Sequence, residues 1–181
     1  MQWITDREHF EQLVARAIPS TKVSLWIATA NLKDLRVPAP LGTRAAASRR
    51  GMSLLEVLTD LARRDVEMRI LHARPPSAAF TAQRLKRRIL ASRLELRCCP
   101  RQHMKLVILD GRFLYLGSAN LTGAGMGARG DKRRNFEAGI VSDDEYLLDS
   151  AQARYDAIWQ GAECGACGLR RLCPKPLDLL E

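Results

Sequence analysis

Two short apolar segments of this chain meet at an Asp-Gly pair, and no other feature of the sequence limits the fold as strongly. The segments cover residues 104–109 and 112–116, and Asp110-Gly111 joins them. An Asp-Gly pair between such segments is a strong signal for the tight turn of a β-hairpin. We therefore expect an antiparallel pair of strands in the middle of the chain.

Segments with helical and strand-like patterns alternate on both sides of this hairpin. Helices are predicted from Thr5 or Asp6 to about residue 18, and over residues 53–64, 77–92 and 143–160. Strands are predicted over residues 22–30, 66–72, 94–99 and 136–142, and a long loop over residues 31–51. This alternation predicts an α/β fold with a mixed β-sheet flanked by helices on both faces. We expect one catalytic domain over residues 1–160 and a short Cys-rich tail over residues 161–181 that packs on it.

The basic residues are concentrated in one part of the chain. The net charge is +9, and residues 33–101 contain 16 Lys and Arg against 6 Asp and Glu. This segment leads directly up to His103. A basic surface beside a reactive site attracts polyanions, although a solvated Arg-rich helix would give the same count.

Four polar side chains flank the hairpin at positions where they could converge on one point. His103 and Lys105 stand at the start of the first strand, where a period of two puts both on one face. Ser118 and Asn120 follow the second strand at the same spacing, after Gly117, which lets the backbone approach a ligand closely. An imidazole, an ammonium group and two neutral donors suit a tetrahedral phosphate that gains negative charge.

This spacing resembles the signature of the phospholipase D superfamily. The signature is H-x-K-x₄-D followed by G-S-x-N, and this chain reads HMKLVILD and then GRFLYLGSAN. The resemblance covers about residues 22–159 in the order of elements, and it implies a phospholipase D-like fold with phosphodiesterase activity. The chain contains one such motif.

The resemblance implies a role for each matching position. His103 matches the histidine that attacks phosphorus and forms a covalent phosphohistidine. Lys105, Ser118 and Asn120 match phosphate-binding residues, and Asp110 matches an aspartate that supports the site without contacting substrate.

A glutamate that orients the catalytic imidazole is also implied, and Glu137 is its best match. The alternative is that Glu137 is an ordinary strand carboxylate. A glycine-rich basic insert precedes it, and this insert either lines the substrate groove or forms a flexible surface loop. Its basic residues are Arg129, Lys132, Arg133 and Arg134.

The implied mechanism uses two histidines, one as the nucleophile and one to protonate the leaving oxygen. The chain has His9, His72 and His103, and only His103 lies in the motif. Single-motif members of the superfamily pair about a two-fold axis, so the resemblance implies a homodimer with one composite site. His72 is the other candidate, although we expect it to be an exposed residue at a strand end. The implied reaction needs no divalent metal, because Lys and Asn from both chains neutralise the phosphate.

Five cysteines, without a signal-like N-terminal segment, favour a metal site or free thiols over a disulfide framework. Cys164, Cys167 and Cys173 form a C-x₂-C-x₅-C-P pattern, and either Cys98 or Cys99 is the candidate fourth ligand. The pattern is similar to the iron–sulfur site of some DNA-processing nucleases of a different fold, which implies a structural [4Fe–4S] cluster. Zinc and free thiols are the alternatives.

These features together predict a nuclease that cleaves phosphodiester bonds of DNA or RNA. The alternatives are a phospholipid-hydrolysing enzyme of the same superfamily and a nucleic-acid-binding module with a vestigial site. We find no amphipathic interfacial helix and no run near the ~20 apolar residues of a membrane span. The first ten residues are charged and lack an apolar signal core. We therefore expect a cytoplasmic protein without a membrane partner.

Overall fold

A computed structural model describes residues 1–37 and 51–179, and a mixed β-sheet forms its centre. The strands are β1 (Gln2–Thr5), β2 (Ser24–Thr29), β3 (Arg36–Val37), β4 (Met52–Ser53), β5 (Glu67–His72), β6 (Leu94–Cys98), β7 (Leu106–Leu109), β8 (Phe113–Gly117) and β9 (Ala138–Ser142). The helices are α1 (His9–Ala17), which has π-type hydrogen bonding, α2 (Leu54–Arg63), α3 (Ala78–Leu85), α4 (Arg88–Arg93) and α5 (Glu145–Trp159). Short helical turns lie at Ile18–Ser20, Arg170–Leu172 and Leu177–Leu179.

Seven of the strands form one sheet in the order β1-β9-β8-β7-β2-β5-β6, and β3 pairs with β4 separately. The pairings β2–β5 and β5–β6 are parallel, and the other pairings of the large sheet are antiparallel. The predicted mixed sheet is therefore confirmed.

The predicted β-hairpin is confirmed between β7 and β8. Asp110 and Gly111 have φ values of 53° and 62°, and positive φ at both central residues is what a type I′ hairpin turn requires. β7 begins at Leu106, two residues later than predicted. His103 and Lys105 therefore lie in the segment that leads into the strand.

Helices cover both faces of the sheet, as predicted. On one face, α1 to α4 pack over an apolar core that includes Leu58 and Phe80. On the other face, α5 packs through Tyr155 and Trp159. Leu177 of the Cys-rich tail is buried in this second core, so the tail packs on the α5 side of the sheet.

The N-terminal segment differs from the prediction of a helix that starts at Thr5 or Asp6. Residues Gln2–Thr5 form β1, which pairs antiparallel with β9. Asp6 then turns the chain with a φ of 42°, and Glu8 accepts a hydrogen bond of 2.7 Å from the Thr5 backbone amide. The segment forms a strand because it pairs with β9, more than 130 residues away. A pairing between such distant residues leaves no pattern in the local sequence that would predict a strand.

The single helix predicted over residues 77–92 is wrong, because the chain breaks it into α3 and α4. Arg87 leaves the helical region with a ψ of 84°. The Arg84 guanidinium donates to the carbonyl oxygens of Ala91 and Leu94, at 3.0 and 2.8 Å. The break lets Phe80 and Leu90 both reach the same core.

The long loop predicted over residues 31–51 falls partly outside the described residues, which exclude 38–50. Its two ends are held in place, because Leu32 bridges to Leu121 and β3 pairs with β4. Within the described ranges, no helix has the length and apolar character needed to cross a membrane.

Candidate active site

Five of the six predicted catalytic residues lie where the strands of the large sheet end on one side, and we call this row of strand ends and loops the site edge. It carries residues 30–37, 73–77, 99–105 and 118–137, which leave or enter the strands there. The register places these segments together, since Ala28 of β2 pairs with Leu106 of β7 and Gly117 of β8 pairs with Gly139 of β9. The hairpin therefore brings the two halves of the sequence motif to the same edge.

Lys105 and His103 are in direct contact at this edge. The Lys105 ammonium nitrogen lies 3.1 Å from Nδ1 and 3.2 Å from Nε2 of His103, and it donates to the His103 carbonyl oxygen at 2.8 Å. His103 is exposed, whereas Lys105 is buried. Burial lowers the pKa of Lys105, and the nearby charge of Glu137 opposes that effect. His103 and Lys105 are close together, as predicted. They lie in the segment before β7, however, and not on one face of the strand.

Glu137 lies among polar residues of the same edge. Ser118 donates its hydroxyl hydrogen bond to Glu137 Oε2, and Asn135 Nδ2 donates to Oε1 at 3.0 Å. Among the described residues, no hydrogen bond joins Glu137 to His103. Within this single chain, Glu137 therefore organises Ser118 and faces Lys105, and its role in orienting an imidazole stays a prediction.

Asp6, which the sequence suggested only as a possible start of a helix, holds the backbone of Glu137. The Asp6 carboxylate accepts from the Glu137 amide at 2.9 Å, and the Asp6 amide donates to the Glu137 carbonyl oxygen at 2.9 Å. The two residues are 131 positions apart, so no local signal could have revealed this contact.

Asn120 is fixed by the end of β2. Its Oδ1 accepts from the backbone amides of Ala30 and Asn31 at 3.0 and 3.1 Å, and from the Thr29 hydroxyl at 3.3 Å. Because the oxygen is held by these donors, the amide nitrogen is the group that Asn120 can offer to an anion.

Asp110 lies at the far end of β7, away from the site edge. Its carboxylate accepts hydrogen bonds from the backbone amides of Lys22, Val23 and Ser24, the shortest at 2.7 Å. Burial alone would raise its pKa, but the hydrogen bonds from the Ser24, Val23 and Lys22 amides together hold the pKa below the usual value. Asp110 therefore ties the hairpin turn to the start of β2.

Gly117 makes room for protein atoms, contrary to the expectation that it lets the backbone approach a ligand. A Cβ atom at Gly117 would lie 2.5 Å from the Tyr115 hydroxyl oxygen and 2.7 Å from the Ala138 carbonyl oxygen. A Cβ atom at Gly139, which pairs with Gly117, would lie 2.6 Å from the Tyr115 ring. Tyr115 is fully buried beneath this pair and accepts a hydrogen bond from the Ala119 amide at 3.2 Å.

Neither of the other two histidines is exposed. His72 is only 6% exposed and contacts the Arg74 carbonyl oxygen through Nδ1 at 3.0 Å, so the expectation of an exposed strand-end residue is wrong. His9 is fully buried against Tyr115, and its Nδ1 lies 3.0 Å from the Asp6 carbonyl oxygen. Burial lowers the pKa of both histidines. His103 is therefore the one exposed imidazole in the chain, whose three histidines are all described.

The loops of the site edge carry several exposed Lys and Arg side chains. Part of the glycine-rich insert is anchored, because Met126 is buried and the Asn135 amide donates to the Ala124 carbonyl oxygen at 3.1 Å. Its basic end remains exposed, apart from Arg134, which pairs with Asp131. The exposed basic residues on these loops are Lys33, Arg36, Arg74, Arg101, Arg129, Lys132 and Arg133.

The five cysteines, Cys98, Cys99, Cys164, Cys167 and Cys173, line a single cavity, and no disulfide joins any two of them. Cys98 and Cys99 reach it from the end of β6, and the other three reach it from the tail. No group of three or more His, Cys, Asp or Glu side chains in the described part of the chain is already placed to hold a metal ion. The predicted metal site stays a prediction.

The comparison with protein families gives one match. The family model described as "Cardiolipin synthase, PLD-like domain" matches residues 14–159, which include the whole site edge. No curated protein shows a significant sequence match to the chain.

Solved structures share the fold at low sequence identity. The phospholipase D family member Nuc from Salmonella typhimurium is 22% identical, with a TM-score of 0.60 over 88% of this chain and 93% of that chain. NucT from Helicobacter pylori is 16% identical, with a TM-score of 0.54 over 86% and 94% of the two chains. The archaeal chromatin protein TrmBL2, described as showing a novel mode of DNA binding, is 11% identical, with a TM-score of 0.55 over 88% and 52%.

Proposed function

This chain belongs to the phospholipase D superfamily, and we propose that it is a nuclease that cleaves phosphodiester bonds through a phosphohistidine intermediate. The contact between exposed His103 and buried Lys105 carries the proposal. It puts a nucleophile of the right type beside a fixed positive charge at an open edge of the sheet. Asn120 and Ser118 supply neutral groups on the same edge.

In the proposed reaction, a ring nitrogen of His103 attacks phosphorus, and the P–O bond to the leaving strand breaks as the P–N bond forms. Lys105 and Asn120 stabilise the negative charge that grows on the non-bridging oxygens. The leaving oxygen takes a proton from a second imidazole. That imidazole then removes a proton from water, and the water oxygen displaces His103 from phosphorus. Because cationic and amide groups carry the charge, we propose that the chemistry needs no divalent metal.

The second imidazole is proposed to be His103 of a second copy of this chain. His9 and His72 cannot reach a substrate, because both are buried. A homodimer with a composite site supplies what one chain lacks.

An apolar row across the sheet is the surface that we propose for this dimer. Leu106, Leu116, Ile140 and Trp3 pair across β7, β8, β9 and β1, so they share one face. Leu106 is buried, whereas Leu116 and Trp3 are 44% and 64% exposed. The row runs from beside Lys105 toward β1, and Phe136, next to Glu137, is 93% exposed. Covering these side chains with a second copy would bring the two site edges near each other.

Nucleic acid is the proposed substrate because the loops of the site edge carry exposed Lys and Arg from four separate segments. A chain of phosphates can contact several of these cations at once, and each contact adds binding energy that falls with salt. The fold is shared with TrmBL2, which is described as showing a novel mode of DNA binding.

The experiment is a cleavage assay on labelled single- and double-stranded DNA and RNA, with EDTA present and no added Mg²⁺. We expect the wild type to cleave at least one of these substrates and the His103→Ala variant to cleave none. Rapid acid-free quenching should trap label on the wild-type protein through His103, and not on the variant. Cleavage by the variant, or cleavage that begins only when Mg²⁺ is added, would contradict the mechanism.

Phospholipid hydrolysis is the second candidate function. The matched family description names cardiolipin synthase, and Phe136 offers an exposed aromatic ring beside Glu137. Vesicles of anionic phospholipid belong in the same assay. Phospholipid turnover without nucleic-acid cleavage would favour this candidate, and nucleic-acid binding without turnover would favour a binding module.

A further inference from the structure

We propose that the thiol cavity formed by the five cysteines is a metal site, with Cys99, Cys164, Cys167 and Cys173 as its ligands. This site is separate from the catalytic residues, and the proposal does not depend on the chemistry at His103. The fold brings together thiols that are 65 to 74 positions apart in the chain, since Cys99 follows β6 and the other three lie in the tail.

The backbone of the tail gathers its three thiols through tight turns. The Cys167 amide donates to the Cys164 carbonyl oxygen at 3.2 Å, and the Cys173 amide donates to the Leu169 carbonyl oxygen at 2.9 Å. These turns keep the three cysteines along the wall of one cavity. The tail contributes few buried apolar residues of its own, so a metal centre would stabilise a segment that burial alone holds weakly.

The C-terminal end of the tail packs back on the domain beside the cavity. Leu177 is buried against the α5 core, and Arg170 pairs with Asp178 at 2.7 Å. Gly161 follows α5 with a φ of 74°, and a Cβ atom there would clash with the Asp178 backbone. The chain therefore folds back on itself around the cysteines.

Cys99 is assigned as the fourth ligand and Cys98 is not. Cys98 is the last residue of β6, and its thiol points to the Ala73 carbonyl oxygen at 3.5 Å. Cys99 packs against the same core as Cys164, on the tail side. The Cys99 amide donates to the His72 carbonyl oxygen at 2.8 Å, which fixes the position of the residue.

The surroundings of the cavity suit a negatively charged thiolate site. Arg101 and Arg170 both line it, and four thiolates around Zn²⁺ or around a [4Fe–4S] cluster leave a net negative charge that guanidinium groups offset. Zinc needs four sulfurs at about 2.3 Å from one point, whereas a [4Fe–4S] cluster takes one thiolate on each of its four irons. The C-x₂-C-x₅-C-P spacing of the tail favours the iron–sulfur cluster.

The metal centre would brace the chain that leads into the catalytic motif. Cys99 lies four residues before His103, and the intervening Gln102 amide donates to the Cys99 carbonyl oxygen at 2.8 Å. Gln102 is buried and its side-chain amide bonds both the amide and the carbonyl oxygen of Met104. A fixed Cys99 therefore restricts the segment that carries His103.

The test measures iron, zinc and acid-labile sulfide per chain in the full-length protein purified without oxygen. We expect about one centre per chain in the wild type, with iron and sulfide in equal amounts and a broad visible absorbance band. Zinc without sulfide would support the site and replace the cluster by an ion. Wild-type protein that contains neither metal, and that takes up neither after reduction and anaerobic reconstitution, would overturn the proposal.

The neighbouring cysteines provide a matched pair of variants. We expect Cys98→Ser to keep the metal at the wild-type level and Cys99→Ser to lose nearly all of it. Cys167→Ser provides a second ligand variant on the tail side and should also lose it. Limited proteolysis separates loss of the centre from failure to fold, because a folded Cys99→Ser domain should release only the tail. Metal loss in Cys98→Ser with retention in Cys99→Ser would overturn the ligand assignment.

Discussion

At the scale of single residues, Lys105 connects the nucleophile to the charge that the reaction creates. Its ammonium nitrogen contacts both the ring and the carbonyl oxygen of His103. The contact therefore keeps a positive charge beside the imidazole, where negative charge grows on the phosphate oxygens during the attack. The charge of Glu137 favours the protonated form of this ammonium group and partly offsets the lowering of its pKa by burial.

Lys105→Ala should lower kcat by about 100-fold or more, as the loss of a preorganised charge-stabilising donor does in other enzymes. KM for a short oligonucleotide should change less, because the exposed cations of the loops remain. Steady-state kinetics on one labelled substrate measure both constants. A kcat within a few-fold of the wild type would contradict the role of Lys105.

The same lysine predicts the alkaline limit of activity. Because burial lowers the pKa of Lys105, the charged form is lost at a lower pH than for an exposed lysine. The decline of kcat at high pH should therefore begin early. Lys105→Arg keeps its charge at every accessible pH, so its residual activity should not share this decline. If kcat declines at the same high pH in the wild type and in Lys105→Arg, the decline comes from the titration of another group.

Asp110 should matter for stability more than for chemistry. Asp110→Asn replaces a carboxylate that accepts several backbone hydrogen bonds, and we expect a loss of about 1–3 kcal/mol in the free energy of unfolding at neutral pH. Because the folded-state pKa is lowered, this contribution is complete above the unfolded pKa. It is lost as the pH falls through the folded pKa. Denaturant unfolding at pH 7 and at acid pH checks both statements, and a stability difference that is unchanged in acid would contradict them.

At the scale of elements, the pairing of β8 with β9 depends on two glycines that face each other. Gly117 and Gly139 pair with each other, and the Tyr115 side chain lies against both. This pairing continues directly into Ser118 and ends at Glu137, which share a hydrogen bond. The local packing of the pair therefore sets the geometry of one side of the site.

Gly117→Ala should destabilise the protein by about 1–3 kcal/mol, since the new methyl group has no space beside Tyr115 and Ala138. Gly130→Ala is the matched control, because nothing lies within 4 Å of its Cβ position and its loop belongs to the same edge. Thermal unfolding of the two variants decides the matter. Similar unfolding midpoints for the two variants would show that β8 and β9 can move apart at Gly117 at little cost in stability.

Elements with a local signal were predicted well, and elements that depend on distant partners were not. The β7–β8 hairpin, the α2 cap at Ser53 and the strand β5 follow from neighbouring residues. β1 and the break between α3 and α4 arise from contacts with β9 and with the core. The same distinction applies at the site, where the motif spacing located His103 and Lys105 but could not reveal the support that Asp6 gives to Glu137.

At the scale of the whole molecule, the sheet is covered unevenly. α5 covers the middle of one face, and the row from Leu116 through Ile140 to Trp3 extends beyond it, with Leu116 and Trp3 exposed and Ile140 half-buried. Soluble monomers seldom leave such a contiguous apolar surface open. The row begins beside the site edge, so a protein that covers it also approaches the catalytic residues.

Leu116→Glu should separate the proposed dimer, because a carboxylate in the centre of the row opposes its own copy across a two-fold axis. We expect a monomer by light scattering, with unchanged secondary structure and with cleavage activity reduced in proportion to the lost dimer. Val23→Glu is the control, since Val23 is exposed outside the row. A fully active monomeric Leu116→Glu protein would contradict the composite site.

Mixing experiments test whether the site is shared by two chains. If each reaction needs His103 from both copies, a dimer of one wild-type chain and one His103→Ala chain is inactive. Random assembly of equal amounts of the two chains leaves roughly one quarter of the dimers with two wild-type copies, so activity per wild-type chain should fall to roughly half. Coexpression with two different tags, followed by assay of the mixed dimer alone, measures this directly. Full activity per wild-type chain in the mixed dimer would mean that each chain completes its own site, and a buried histidine would then have to become accessible during the reaction.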